Sequence, residues 1–375
     1  GLYPEVEKPE GLPEFITIRT SDGVALMMAT QNENGEWVWQ KATPGLYWHA
    51  QGKFMGVTLA GDETSNPSIN SIVLKYFNRG ILSLRGQVRP GPDIKERKPS
   101  NAKNEFDLAK LNGMALNFHY LAEPGKFPSD VNKDNIDQWL NRRLSDTADM
   151  ILNYKLDQPV LVVLNEAWEI GAKWNRDSNP IKDKYGEKWL EEYFYQAFSV
   201  FISRGLVPNK DFILTLNELE MFSNLYKQRL VHNKLLDARR SAFEKLIENP
   251  IYAQRLSDLA INRPEDIKII LELQEPENYG ELSMFFQQLN SIADSFSDLG
   301  GVILTEVNPK TQKQKFLVYA TQNLANNPNF RGIIFWNLFT IDPSDISLTH
   351  VLELFSKDGS PTMLFYELLR ENPNR

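Results

Sequence analysis

Two glutamates stand where a carboxylate has more to offer to chemistry than to packing. Glu166 follows PVLVVLN, a stretch in which the apolar run Val160 to Leu164 is bounded by Pro159 and then by Asn165 and Glu166 itself. Glu306 ends a second apolar stretch, GVILTE, that starts at Gly301. Cleaving a glycosidic bond with retention uses such a pair, about 5–5.5 Å apart: one acid protonates the leaving oxygen and one carboxylate attacks the anomeric carbon. Asn165 offers an amide that can bind a sugar hydroxyl and strengthen that bond as charge develops. Trp336, after RGIIF, offers an apolar wall that stacks a sugar and disfavours ionisation of a nearby acid. His119 ends MALNFH and reads equally well as a buried structural histidine or a ligand-binding one. Gln274 ends IKIILELQ, either as a satisfied rim amide or as a partner of Glu306. A lone glutamate at a strand end is ordinarily solvated, and a lone tryptophan is ordinarily core. The pair at matched strand ends, with Asn165 before the first, points to a site.

Something must bring these ends together. Short apolar runs rich in β-branched residues read as strands buried on both faces. They fall at 53–59, 79–84, 114–119, 160–165, 211–216, 267–274, 301–306 and 331–338. Between them lie helical patterns, the clearest at 68–77, 135–154, 188–203, 225–248, 280–296, 312–324 and 349–370. Eight alternations in about 320 residues is the count of a (β/α)8 TIM barrel, whose active sites lie at the C-terminal rim of the strands. Strands four and seven face each other across such a ring, which puts Glu166 and Glu306 on one cleft. An open doubly wound sheet is disfavoured because no glycine-rich phosphate loop follows the first strand. Residues 1–50 are expected to form an extended arm and a short β-hairpin extension, and 51–375 the barrel. Trp37, Trp39 and Trp48 are expected to pack that extension onto the barrel. The segments GQVRPGPDIKERKPSNAKN and GAKWNRDSNPIKDKYG read as polar rim loops.

Composition removes other functions. With 42% hydrophobic residues there is material for a large core, and no apolar run approaches the roughly 20 residues of a membrane span. A net charge of -8 argues against a nucleic-acid partner, which needs clustered Lys and Arg. There is no cysteine, hence no disulfide, zinc thiolate or cysteine nucleophile, and the 4 histidines are scattered without metal-ligand spacing. The opening GLYPEVEKPEGLPEF is acidic and proline-rich and has no signal-peptide pattern. Gly1 in place of Met leaves room for a removed leader, in which case a secreted or periplasmic protein is expected.

At this point the residues resemble glycoside hydrolase family 10, the xylanase family, over about residues 53–370. The family's V-V-N-E-A is similar to Val162-Val163-Leu164-Asn165-Glu166-Ala167, and its I-T-E-L-D to Leu304-Thr305-Glu306-Val307-Asn308. Its R-D-S-P resembles Arg176-Asp177-Ser178-Asn179-Pro180, and its G-E-x-W-L is similar to Gly186-Glu187-Lys188-Trp189-Leu190. Its F-W-G-L resembles Phe335-Trp336-Asn337-Leu338, and N-G-M with a following histidine resembles Asn112-Gly113-Met114 with His119. Gln274 stands where the family has the glutamine of M-Q-S-H.

The resemblance implies Glu166 as general acid/base and Glu306 as nucleophile. Asn165, His119 and Gln274 would contact the sugar or the nucleophile, and Trp336 would wall the cleft. It also implies a polysaccharide or oligosaccharide substrate, no metal or organic cofactor, and a monomer. The departures are as informative. SLRGQV stands where the family has E-N-x-M-K-W, Glu123 and Pro124 replace the tryptophan and second histidine of H-T-L-V-W-H, and Pro276 replaces the histidine after M-Q-S. The carboxylates are kept while the glycone side is rebuilt, with Arg85, Gln87 and Arg89 as candidate replacements able to meet an acidic sugar. The expected activity is therefore hydrolysis of a β-linked, xylan-like chain with altered specificity. Two alternatives stand beside it: a carbohydrate-binding pseudoenzyme, and a retaining barrel acting on glucan or mannan.

Overall fold

The computed structural model describes residues 16–19, 25–32, 34–58, 79–83, 115–153, 159–168, 179–309, 311–335 and 362–370. Eight parallel strands close into a barrel: β4 (Phe54–Thr58), β5 (Arg79–Ser83), β6 (Ala115–Ala122), β7 (Val160–Asn165), β8 (Phe212–Glu218), β9 (Ile269–Gln274), β10 (Val302–Val307) and β11 (Phe330–Phe335). All eight expected strands are present within a few residues of their expected bounds. The N-terminal extension is larger than a hairpin. It is a three-stranded antiparallel sheet of β1 (Ile16–Arg19), β2 (Ala25–Gln31) and β3 (Trp37–Lys41), followed by helix α1 (Pro44–Ala50). The fully buried Trp48 of α1 donates its indole N–H to the Leu368 carbonyl at 2.6 Å, joining this end of the chain to the other.

The outer helices are amphipathic, and their apolar stripes cover the strands. Helix α2 (Ile136–Asn153) buries Trp139, Leu140, Leu144, Ala148 and Ile151 at helical spacing. Two helices depart from the sequence reading. Residues 180–185, expected within a polar loop, form helix α3 (Pro180–Tyr185), because the Asn179 side chain accepts the Lys182 N–H and Pro180 starts the helix. The same chemistry, Asn249 capping the Ile251 N–H ahead of Pro250, follows helix α5 (Leu225–Ile247) with helix α6 (Pro250–Asp258). Helix α4 (Trp189–Ser203) lies between α3 and α5; helices α7 (Leu282–Ser295), α8 (Lys313–Asn326) and α9 (Met363–Glu367) complete the described set. The helix expected at 68–77, the early part of the last helix, and Arg85, Gln87 and Arg89 lie outside the described residues.

The barrel interior has two halves. At the lower end Phe54, Leu161, Ile213, Ile270, Ile303 and Ile334, from six strands, form an apolar cluster of their own, separate from the core between strands and helices. Gly332 makes this layer possible, since a Cβ there would stand 2.6 Å from the Phe54 Cβ. Lys53 closes the base by donating to the Asn327 and Phe330 carbonyls, both at 2.7 Å. Strand alternation carries the same inward faces up to Asn117, Thr215, Asn217, Glu272, Thr305 and Asn165. The interior becomes polar as it nears the rim.

Candidate active site

The upper half is a connected set of hydrogen bonds. Glu272, buried in the middle of β9, accepts from Asn117 across the barrel at 3.2 Å and from Thr215 at 2.7 Å. One level higher, Asn165 donates to Glu123 at 3.0 Å, Asn217 donates to the Asn165 carbonyl oxygen at 2.8 Å, and Thr305 donates to Asn217 at 2.9 Å. Lys126 lies 3.2 Å from Glu123. Asn165 is thus buried and engaged on both sides of its amide, forming the floor beside Glu166.

Above this floor alternation should fail the site. Asn165 and Thr305 point inward, so regular strands would send Glu166 and Glu306 outward among the helices. Both glutamates escape through the backbone: φ is 46° at Glu166 and 54° at Glu306, in the left-handed region that residues with a Cβ rarely enter. At Glu306 a bulge does the same work, because Leu304 pairs with Ile333 and Val307 with Phe335, three steps of β10 against two of β11. Such bulges re-aim a side chain beside active sites, and strain of this kind costs about 1–3 kcal/mol per residue.

The two carboxylates then meet partners from other strands. Gln274, at the end of β9, donates to Glu166 at 2.9 Å. His119, on β6, brings its Nε2 to 3.6 Å from a Glu306 oxygen. In the ring β6 and β10 are four strands apart, as far as eight strands allow, so these side chains reach across the mouth of the barrel. Glu306 remains 31% exposed and His119 only 8%, so the carboxylate is open to a substrate while the imidazole backs it. The sequence reading associated Gln274 with Glu306; its hydrogen bond is to Glu166. Trp336 lies outside the described residues.

Each carboxylate is followed by a loop held by an acid from the neighbouring strand, which the sequence reading missed. After Glu166, the N–H groups of Ala167 and Trp168 both donate to Glu218 Oε1, at 2.5 and 3.2 Å. After Glu306, the Asn308 N–H donates to Glu275 at 2.6 Å. Glu218 is fully buried and paired at 2.8 Å with Lys227, which is equally buried. Burial pushes the Glu218 carboxyl up to about 7, against the pull of Lys227 and the two N–H donors. A signal for this pair was available: Lys227 occupies a stripe otherwise filled by Val231, Leu235, Ala238, Ala242 and Leu246.

Two further observations bound the site. Among the described residues, no group of three or more His, Asp or Glu side chains is arranged to hold a metal ion, and no helix is long and apolar enough to cross a membrane. An open groove of about 490 Å³ is lined by Asp137, Tyr185, Tyr195 and neighbouring residues of α2 and α4.

The fold and rim define a class: (β/α)8 barrels with one carboxylate just after the fourth strand and another at the end of the seventh. Solved structures of the same fold include family 10 xylanases. A psychrophilic family 10 endo-β-1,4-xylanase aligns over 87% of this chain and 99% of its own, with a TM-score of 0.57 and 16% identity. A Cellvibrio japonicus xylanase 10C mutant in complex with xylopentaose aligns over 89% of this chain and 71% of its own, with a TM-score of 0.58 and 14% identity. The Caldicellulosiruptor owensensis endo-1,4-β-xylanase gives 87% and 99%, a TM-score of 0.56 and 15% identity. At such identities the likeness establishes the fold. No family model matches the sequence, and no curated protein is found as a sequence relative.

Proposed function

We propose that this protein is a retaining glycoside hydrolase acting on a β-linked polysaccharide or oligosaccharide of xylan type. The observation that carries the reading is the turning of both rim glutamates, through left-handed backbone, onto partners from other strands, Gln274 two strands away and His119 on the opposite side of the ring. Strain at two such positions is retained where it serves a site. In the first step Glu306 attacks the anomeric carbon, the bond to the leaving oxygen breaks, and the Glu166 proton passes to that oxygen. In the second, a water adds to the anomeric carbon and gives its proton to Glu166 as the bond to Glu306 breaks. Gln274 orients the Glu166 carboxyl, and His119 stands beside the Glu306 oxygen as its charge changes. The solved structure with xylopentaose has the same fold, which supports a xylan-like chain as the first substrate to try.

Binding without turnover is the second reading, favoured by SLRGQV in place of the family's glycone-gripping segment. Reducing-sugar release from xylan, β-glucan and mannan separates the two. Hydrolysis of one of them that is lost in Glu306→Ala supports the enzyme. Unchanged binding of a polysaccharide by the wild type and Glu306→Ala, with no release from any, supports the binding protein.

A further inference from the structure

We infer that the buried Glu218–Lys227 pair is a positioning device for Glu166, fixing the carboxyl that protonates the leaving group. This rests on the acid/base role proposed above for Glu166. The three residues that carry and follow the acid are tied to the end of β8 at consecutive points. The Glu166 N–H donates to the Asn217 carbonyl at 2.7 Å, and the Ala167 and Trp168 N–H groups donate to Glu218 Oε1. Lys227 Nζ completes the clamp by contacting Glu218 Oε2 at 2.8 Å and donating to the Trp168 carbonyl at 3.1 Å and the Leu219 carbonyl at 2.7 Å.

The need for a clamp follows from the backbone. A glutamate at φ 46° sits outside its preferred basins and relaxes unless its neighbours hold it. Local hydrogen bonding by the loop itself would leave the turn soft. Two N–H groups converging on one carboxylate oxygen fix the peptide planes after Glu166, and a buried cation lies against the other oxygen. Neither Glu218 nor Lys227 has any exposed side chain, so neither can touch a substrate. Any effect on catalysis must pass through the residues they hold, the Ala167–Trp168 turn that follows Glu166 first among them.

That gives a readout which general stability would not move. Protonation by Glu166 matters for a poor leaving group and little for one that departs as a stable anion. The test compares 4-methoxyphenyl and 2,4-dinitrophenyl β-glycosides of xylobiose, cellobiose and mannobiose, measuring the pre-steady-state rate at which the phenol is released. Glu218→Gln keeps the side-chain shape but leaves Lys227 without its anion. It should slow the methoxyphenyl substrate roughly 10²-fold through kcat, with KM unchanged. The dinitrophenyl substrate should lose less than about threefold, since proton transfer contributes little there. Glu218→Gln/Lys227→Met removes both charges and should recover thermal stability, yet keep the leaving-group-dependent loss because Lys227→Met also removes the ties to the Trp168 and Leu219 carbonyls. It also serves if the single variant fails to fold.

Equal losses on both leaving groups, or recovery of activity together with melting temperature in the double variant, would overturn the clamp while leaving the glycosidase reading intact. A wild-type protein that cleaves none of the six glycosides would instead sink that reading, and the clamp with it.

Discussion

The lower and upper halves of one barrel interior obey opposite rules. Below, six apolar side chains fill the ring and Lys53 seals it against backbone carbonyls. Above, the same inward positions carry amides, hydroxyls and the buried Glu272, and the two glutamates at the rim have left-handed backbone. The lower half gains stability by excluding polar atoms. The upper half gives some of it back by burying polar groups, each satisfied by a neighbour, beneath the two rim carboxylates. Substitutions in the two halves should therefore separate activity from stability.

The largest effect is expected at the rim. Glu166→Gln should slow hydrolysis of unactivated β-glycosides by about 10²–10⁴-fold, with little change in melting temperature, as steady-state kinetics and calorimetry would show. Restoration of turnover on a dinitrophenyl glycoside by azide would mark the loss as one of acid/base chemistry. In the lower half the order reverses. Ile270→Ala leaves a hole in a closed apolar layer and should cost about 2–5 kcal/mol in denaturant unfolding, while kcat on the folded protein changes little. Gly332→Ala attacks the same layer from the other side, forcing a methyl onto Phe54, whose carbonyl oxygen would lie 2.4 Å away. A kcat that fell in proportion to stability in these variants would erase the distinction between the halves.

Intermediate effects belong to the polar floor. Thr215→Val removes a donor to Glu272 and should cost about 1–3 kcal/mol, since a buried carboxylate loses a partner without gaining water. The smallest effect is a pH dependence at the base. Burial, aided by Arg331, lowers the Lys53 pKa from 10.5 to about 8. The unfolded chain therefore binds more protons than the folded one between those values. Stability from this group is lost as pH falls through about 8 and is fully present above 10.5. The unfolding free energy should rise from pH 8 to 10 for this reason by about 1–2 kcal/mol relative to Lys53→Met, in which that component is absent, as denaturant titrations at each pH would show.

Much of this was legible in the sequence. VLVVLN, VILTEV and IILELQ are too apolar and too short for anything but buried strands, and their spacing by amphipathic helices leaves a barrel as the natural closure. The residues at their ends follow directly. What was hidden is the direction in which those residues point. Alternation alone assigns Glu166 and Glu306 to the outer face, because Asn165 and Thr305 take the inner one. Only the left-handed turns and the β10 bulge reverse this, and a glutamate at positive φ has no sequence signature as a glycine would. Helix α3 could have been anticipated from Asn179-Pro180, as could the buried pair from a lysine inside the apolar stripe of α5. Gln274 was legible as a rim amide, but its choice of Glu166 over Glu306 depends on those same turns.

One measurement directly tests Glu306 as the nucleophile opposite Glu166. The intact protein is incubated with 2,4-dinitrophenyl 2-deoxy-2-fluoro-β-xylobioside, and with the cellobiose and mannobiose counterparts, then weighed and digested. The expected result is a mass increase of one glycosyl unit, mapped to the peptide that contains Glu306 and absent in Glu306→Ala. A label on another carboxylate, or hydrolysis of the parent glycoside that gives the inverted anomer first, would contradict it.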